Sequence, residues 1–324
     1  MFLKIKKIIS IFILISCSHI YCLELSNQIF IQFFKISPNE KSFDERFKLK
    51  RGQIKLIKKI NKNIFIEFSP DFQSISKSEI KPYLKTGFIS WKSNYGLIYT
   101  FGYQFSSIYG PLRMNWRNPF IDGVSGVVND FHEIGDFGLS FKWNIKNDFI
   151  LKSGIFNGTG YKLNENDKFK KIELLLFKGK EILTNHSNNY GVIFSFEPYE
   201  NTNSNIFFNY RYGLFFGKSK DLNRIGIEYH LKSNNETKVQ KDLFTIYSTN
   251  KLRKKINLIN RFEFLREFEN HNPFFNYSSS NLNYTFGLLI SLSPNVSISP
   301  SSKFSINKKE SFFYYKLNFI IKSS

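Results

Sequence analysis

Five histidines, His19, His132, His186, His230 and His271, are the residues around which hydrolytic or metal chemistry would have to be built. They are scattered, and the chain has no His-x-x-x-His spacing, no metal-binding cysteine pair and no phosphate loop. A hydrolase needs a serine, a histidine and an orienting acid or amide brought together. Only His230 lies near a predicted strand end on the polar side of an alternating run, and no serine beside it can be assigned as nucleophile. The glycines of GIFNGTG (154–160) follow an alternating run and precede no helix, so they read as turn glycines and not as a phosphate cradle. No catalytic residue, metal or cofactor is expected.

The remaining polar chemistry is electrostatic. Lys and Arg exceed Asp and Glu by a formal net charge of +20, with a pI near 9.7. In a soluble protein this excess would point to nucleic acid. Residues 1–22 argue otherwise, because Lys4, Lys6 and Lys7 precede an apolar run from Ile8 to Ile15, the pattern of an export signal. That run is about half of the ~20 residues a helix needs to cross a bilayer. Cleavage falls between 16 and 22, and Leu14-Ile15-Ser16-Cys17 also fits a lipidation site at Cys17. Both cysteines, Cys17 and Cys22, lie in this region, so no disulfide is expected within the exported domain, 23–324. Export leaves no role for nucleic acid.

Two sets of charges stand out by their place in the chain. Arg113, Arg117, Asp122, Asp130 and Glu133 fall in the longest stretch without strand pattern, 106–134. Lys142, Arg211, Arg224 and Arg261 fall on the polar side of alternating runs.

Those runs dominate the chain. From 95 to 105, Tyr95, Leu97, Tyr99, Phe101, Tyr103 and Phe105 alternate with Gly96, Ile98, Thr100, Gly102 and Gln104. Phe137, Leu139, Phe141, Trp143 and Ile145 alternate with Gly138, Ser140, Lys142 and Asn144, and similar runs occupy 206–216, 282–292 and 313–321. A period of two with 18% aromatic residues and a mean hydropathy of −0.28 describes strands with one face in lipid and the other in water. About sixteen such strands are expected, starting near 28, 47, 63, 83, 95, 135, 148, 169, 188, 204, 222, 240, 254, 281, 295 and 311. The run near 169 is the weakest. Together they predict an all-β fold, a transmembrane antiparallel β-barrel. Tight polar links at 58–62, 93–94, 146–147, 217–221, 250–253 and 293–295 alternate with longer ones, and lysines crowd the tight set. That set is expected on the periplasmic side, near anionic outer-membrane lipid.

The stretch FKLKRGQIKLIKKINKNIFIEFSPDF (47–72) resembles the early hairpin of the phosphate-selective porin O and P family. FGYQFSSIYGP (101–111) and GIFNGTG are similar to two further stretches of that family, so the likeness covers about residues 45–160. The resemblance implies a sixteen-stranded trimeric pore, a homotrimer, whose third external loop turns inward; here that loop is 106–134. It also implies that the aromatic last strand is handed to the barrel assembly machinery, although this chain does not end on the usual aromatic residue. In the family, phosphate preference depends on basic residues along the pore. Here Arg113 and Arg117 are outweighed by Asp122, Asp130 and Glu133.

The expectation is a passive channel for small hydrophilic solutes or ions, with mixed loop charges giving weak selectivity and wall cations tilting it towards anions. The alternative is a non-conducting surface barrel acting as adhesin or ligand receptor, for which most links are short. A periplasmic solenoid or sandwich would need packed faces where the strands carry small or polar residues.

Overall fold

The computed structural model describes residues 23–36, 46–75, 79–162, 168–201, 204–268, 277–308 and 310–323. The expected export signal, with Cys17 and His19, lies outside them, as does His271. The strands are β1 (Leu23–Ile36), β2 (Arg46–Lys59), β3 (Ile64–Ser74), β4 (Ile80–Lys92), β5 (Leu97–Phe105), β6 (Gly135–Asn144), β7 (Phe149–Phe156) and β8 (Lys171–Gly179). They continue as β9 (Ser187–Glu200), β10 (Ile206–Lys220), β11 (Asn223–Asn234), β12 (Gln240–Arg253), β13 (Ile256–Phe268), β14 (Tyr277–Ser291), β15 (Val296–Asn307) and β16 (Ser311–Ser323). Each pairs antiparallel with its sequence neighbours, and β16 pairs with β1 in the register Ile31 to Phe319, closing the ring.

Alternation decides which side each residue takes. Leu139, Trp143, Phe101, Tyr212, Leu214, Phe286 and Tyr315 point outward and are exposed, while Ser140, Lys142, Arg211 and Thr285 between them point inward. Outward aromatics meet across strands, as where Trp91 stacks on Tyr99 with ring centroids 5.4 Å apart. The inward side is polar along the closing seam, where Gln32 Nε2 donates to Asn318 Oδ1 at 2.7 Å. Such a partition suits lipid outside and polar contents within.

Some expectations need correction. β1 begins at Leu23 instead of near 28, and β14 at Tyr277 instead of near 281. β10 continues to Lys220 and β12 to Arg253, so residues 217–220 and 250–253, read as turns, are strand ends. Lysines there can extend their charged heads to water while the backbone stays paired. Tyr95 and Gly96 belong to a turn, Gly96 having φ +77, and Gly154 lies within β7. At Gly102, φ is +124 and an added Cβ would stand 2.4 Å from the Gly87 carbonyl, so the backbone bends closely there, at the base of the long link.

Alternation also breaks at bulges, which insert one unpaired residue. Between Phe30 and Ile31 the β2 partner skips from Arg51 to Leu49, leaving Lys50 as the extra residue. Opposite Ser69 and Pro70, β4 inserts Lys85. Pro70 has no N–H to give, a position where a regular ladder cannot continue.

Replacing outward, mid-strand Leu139 with arginine should destabilise the barrel by roughly 2 to 4 kcal/mol in urea unfolding from lipid vesicles. Inward Lys142→Gln should change stability by under about 1 kcal/mol, since its pair with Glu181 is partly solvated. Similar losses from both would show that the faces are assigned wrongly.

Candidate functional site

The link 106–134 turns into the barrel. Its first residues are turned by Ser106, whose Oγ accepts from the amides of Ile108 and Tyr109, each at 3.3 Å. The amide of Ser107 donates to the wall carboxylate Glu173 at 2.8 Å. Helix α1 (Tyr109–Trp116) follows and ends at Arg117, whose left-handed conformation (φ 55) lets its amide return to the Arg113 carbonyl at 2.8 Å. A single turn, α2 (Ser125–Val128), leads back towards β6.

Two apolar clusters hold this link, on two different arcs of the ring. Ile108, Tyr109, Leu112 and Val124 pack on Leu175, Phe177, Ile193 and Phe215 of β8, β9 and β10. Trp116, Phe120 and Ile121 pack on Phe30, Tyr247, Ile259 and Ile320 of β1, β12, β13 and β16. Each large side chain so buried contributes roughly 1.5 to 3 kcal/mol. This explains the weak pattern near 169: in β8, Ile172, Leu174 and Leu176 face outward while Leu175 and Phe177 face the docked link, so both sides are apolar.

The acidic residues of the link are each tied to wall cations. Asp122 lies 2.8 Å from Arg261 and 3.2 Å from Lys303, and Arg261 also covers the Trp116 ring at 4.7 Å. Lys50 donates to the Phe120 carbonyl at 3.2 Å and Lys316 to the Ile121 carbonyl at 3.4 Å. Burial alone would raise the Asp122 carboxyl; Arg261, Lys316, Lys303 and Lys50 together hold it well below the usual range. Glu133 pairs with Lys171 and, at 3.6 Å, with Arg211, which reaches Glu197 at 2.7 Å. Burial opposes ionisation there too, yet Lys171 and Arg211 bring Glu133 down to about 2. Asp130, exposed, meets Lys232 at 2.9 Å.

The basic candidates divide. Arg211 and Arg261 belong to these buried pairs. Lys142 pairs with Glu181, from the link after β8, and Arg224 donates to the Leu183 carbonyl of that link at 3.2 Å. Arg113 lies over the Phe105 ring at 5.4 Å, and among the described residues neither it nor Arg117 forms an ion pair with a carboxylate. Several cations near the link were not singled out from sequence. Lys303 and Lys316 were legible, being in phase opposite the apolar faces of β15 and β16. Lys50 and Lys85 were not, because a bulge shifts phase by one residue.

His230 also departs from expectation: it lies within β11 and is fully buried. Its Nδ1 is 3.0 Å from His132 Nε2 of the link, and its Nε2 is 3.1 Å from Glu228, which accepts from the Tyr247 hydroxyl at 3.0 Å. Nearby, Ser125 of α2 bonds Thr245 at 2.7 Å and Glu263.

A closed sixteen-strand antiparallel barrel with its longest link folded inside has the fold of outer-membrane barrels of porin type. Among solved structures it is similar to Salmonella typhi OmpF, at 7% identity over 93% of this chain and 97% of that one, with a TM-score of 0.69. It is similar to the anion-selective porin from Comamonas acidovorans, at 10% identity over 93% and 99%, with a TM-score of 0.65. OmpT, an outer membrane protein of Vibrio cholerae in trimer form, matches at 11% identity over 93% and 99%, with a TM-score of 0.63. At such identities the likeness establishes the fold. No family model matches the chain, and no curated protein matches it in sequence.

The histidine contact makes docking of the link depend on pH. Burial, then His230, Arg211, Lys171 and Lys232, hold the His132 imidazole well below its ordinary 6.5. A released link would take up a proton near that value, so docking has full strength above about 6.5 and weakens as pH falls towards the depressed value. Asp122 and Glu133, also depressed, begin to lose their contribution only below the ordinary 3.8 and 4.5. Hydrogen exchange in 124–132 should therefore rise between pH 7.5 and 5.5 relative to His132→Gln measured in the same buffers. Parallel behaviour of the two proteins would remove His132 from the account.

Proposed function

We propose that this chain is an outer-membrane porin of a diderm bacterium that passes small hydrophilic solutes or ions with a preference for anions, without a catalytic step. The observation that carries this reading is the asymmetry of charge at the link: Asp122, Asp130 and Glu133 are ion-paired, while Arg113 and Arg117 have no carboxylate partner among the described residues. Paired charges present a weak outward field, whereas unpaired guanidinium groups in a narrow, poorly screened passage attract anions. The mixed signs read from sequence thus reduce to a basic lining. Arg113, Arg117, Lys142, Arg211, Arg224 and Arg261 are assigned to this lining or its support, with Asp122, Asp130 and Glu133 as anchors of the constriction.

In this reading the tight, lysine-rich turns face the periplasm. The assembly is a homotrimer, in keeping with the trimer form of the similar OmpT. The sequence likeness to the phosphate-selective porin O and P family falls on β2, β3, β5 and β7 and supports kinship of the barrel. A phosphate preference does not follow from it. A second reading, a closed barrel serving as a surface receptor, is favoured by the apolar docking of the link on two different arcs of the ring.

Purified protein in planar bilayers decides between them. The porin reading expects small, discrete conductance steps and a reversal potential towards the chloride potential. Arg113→Gln with Arg117→Gln should move reversal towards cations while conductance persists. Removing about ten residues around Asp122 should raise single-channel conductance. Absence of channels from folded wild-type protein would favour the receptor reading, and unchanged conductance after the deletion would remove the link as constriction.

A further inference from the structure

Between the docked link and β1 to β3 is a cavity of about 160 Å³. Its apolar lining is formed by Phe30, Pro119, Val124, Val127 and Ile134, with the Arg51 guanidinium 5.7 Å from the centre of the Phe30 ring. The rest of the lining is polar and basic, with Lys50, Arg51, Lys162, Gln73 and Tyr161, and among the described residues no carboxylate lines the cavity. Asp71 stands behind Arg51, 3.3 Å from its Nε and 3.9 Å from the fully buried Lys85 amine. Asp71 therefore answers Arg51 alone among the cations of the lining, and Lys50 and Lys162 add to the basic side of that balance.

Two lining residues hold buried donors that the protein does not fully satisfy: Arg51 Nη1 has no hydrogen-bond partner, and the Tyr161 hydroxyl has none beyond Gln73. Behind them the Lys85 amine and Asp71 Oδ1 are likewise without a hydrogen-bond partner. Buried donors are ordinarily satisfied, so the two donors on the cavity lining point to an acceptor from outside the chain. Burial, then Asp71, pushes the Tyr161 phenol well up, which keeps it a donor. Lys162 is steadied over the Tyr83 and Tyr161 rings, 5.2 and 5.7 Å from their centroids, and donates to Gln73 at 2.8 Å.

The mixed lining limits what that acceptor is. Inorganic phosphate would meet the cations but leave the apolar lining unfilled, and an uncharged apolar molecule would leave the donors unmet. A cavity of roughly 150 Å³ accommodates a benzene-sized body. We propose that this cavity binds a small organic carboxylate with an apolar body, the carboxylate towards Arg51, Lys162 and Tyr161 and the body against Val124, Val127 and Ile134 of the link. The bulge that turns both Lys50 and Arg51 inward is what makes the basic lining dense enough. The proposal rests on the porin reading only for the ligand's route through the lumen.

Benzoate is a suitable probe, with inorganic phosphate and benzyl alcohol as its two halves. Equilibrium dialysis of the folded full-length protein in detergent should show saturable benzoate binding at least tenfold tighter than either comparator. Lys162→Gln and Arg51→Gln should each weaken benzoate binding about tenfold, as expected for loss of one charge-assisted contact. Val127→Asn should weaken benzoate and leave phosphate unchanged. Folding is checked by heat-modifiable mobility, and Lys162, on a link outside the strands, provides the test if Arg51→Gln does not fold. Phosphate or benzyl alcohol binding as tightly as benzoate would overturn the proposal, as would unaltered benzoate binding in Lys162→Gln. Benzoate binding of the expected pattern in a protein that carries no current leaves the site standing and removes the channel. Conductance without benzoate binding does the reverse.

Discussion

A backbone surrounded by hydrocarbon must pair its own N–H and C=O groups, and in a sheet this is possible only when no edge is left. The pairing of β16 with β1 meets that requirement, and every other feature of the molecule is arranged around the ring it closes. Closure fixes the two environments. Outward side chains such as Leu139, Leu214 and Tyr315 meet lipid, and inward ones such as Gln32, Arg211 and Asn318 must find partners within the lumen.

The lumen then poses its own problem, because wall cations and inward apolar residues cannot both be left facing a narrow space. The link 106–134 answers both needs. Trp116 and Phe120 cover the apolar patch made by Phe30, Tyr247 and Ile259, while Asp122 sits beside them against Arg261 and Lys303. Apolar packing and ion pairing therefore support the same geometry. Removing one partner of such a buried pair leaves a charge uncompensated, a loss of about 3 to 5 kcal/mol. Beside the docked link the cavity lining keeps its basic character at Lys50, Arg51 and Lys162. The field inside such a barrel is thus set less by the sum of its charges than by which of them already have partners.

Much of this was legible in the residues. The period of two placed Lys142, Arg211, Arg224 and Arg261 on the inward side, and the loss of that period placed the link between Phe105 and Gly135, where β5 ends and β6 begins. Strand phase is a local property, since each residue's side of the sheet follows from its neighbour's.

The sequence alone determined the all-β class, the approximate strands and the identity of the long link. Only the tertiary structure decided how charges pair, because Asp122 and Arg261 lie 139 residues apart and nothing local to either marks the other. It also decided where phase fails, at Lys50 and Lys85, since a bulge depends on two strands together. And it decided that β8 has two apolar sides. Period two reports the difference between a strand's faces, and that difference vanishes when one face meets lipid and the other a docked segment of the same chain.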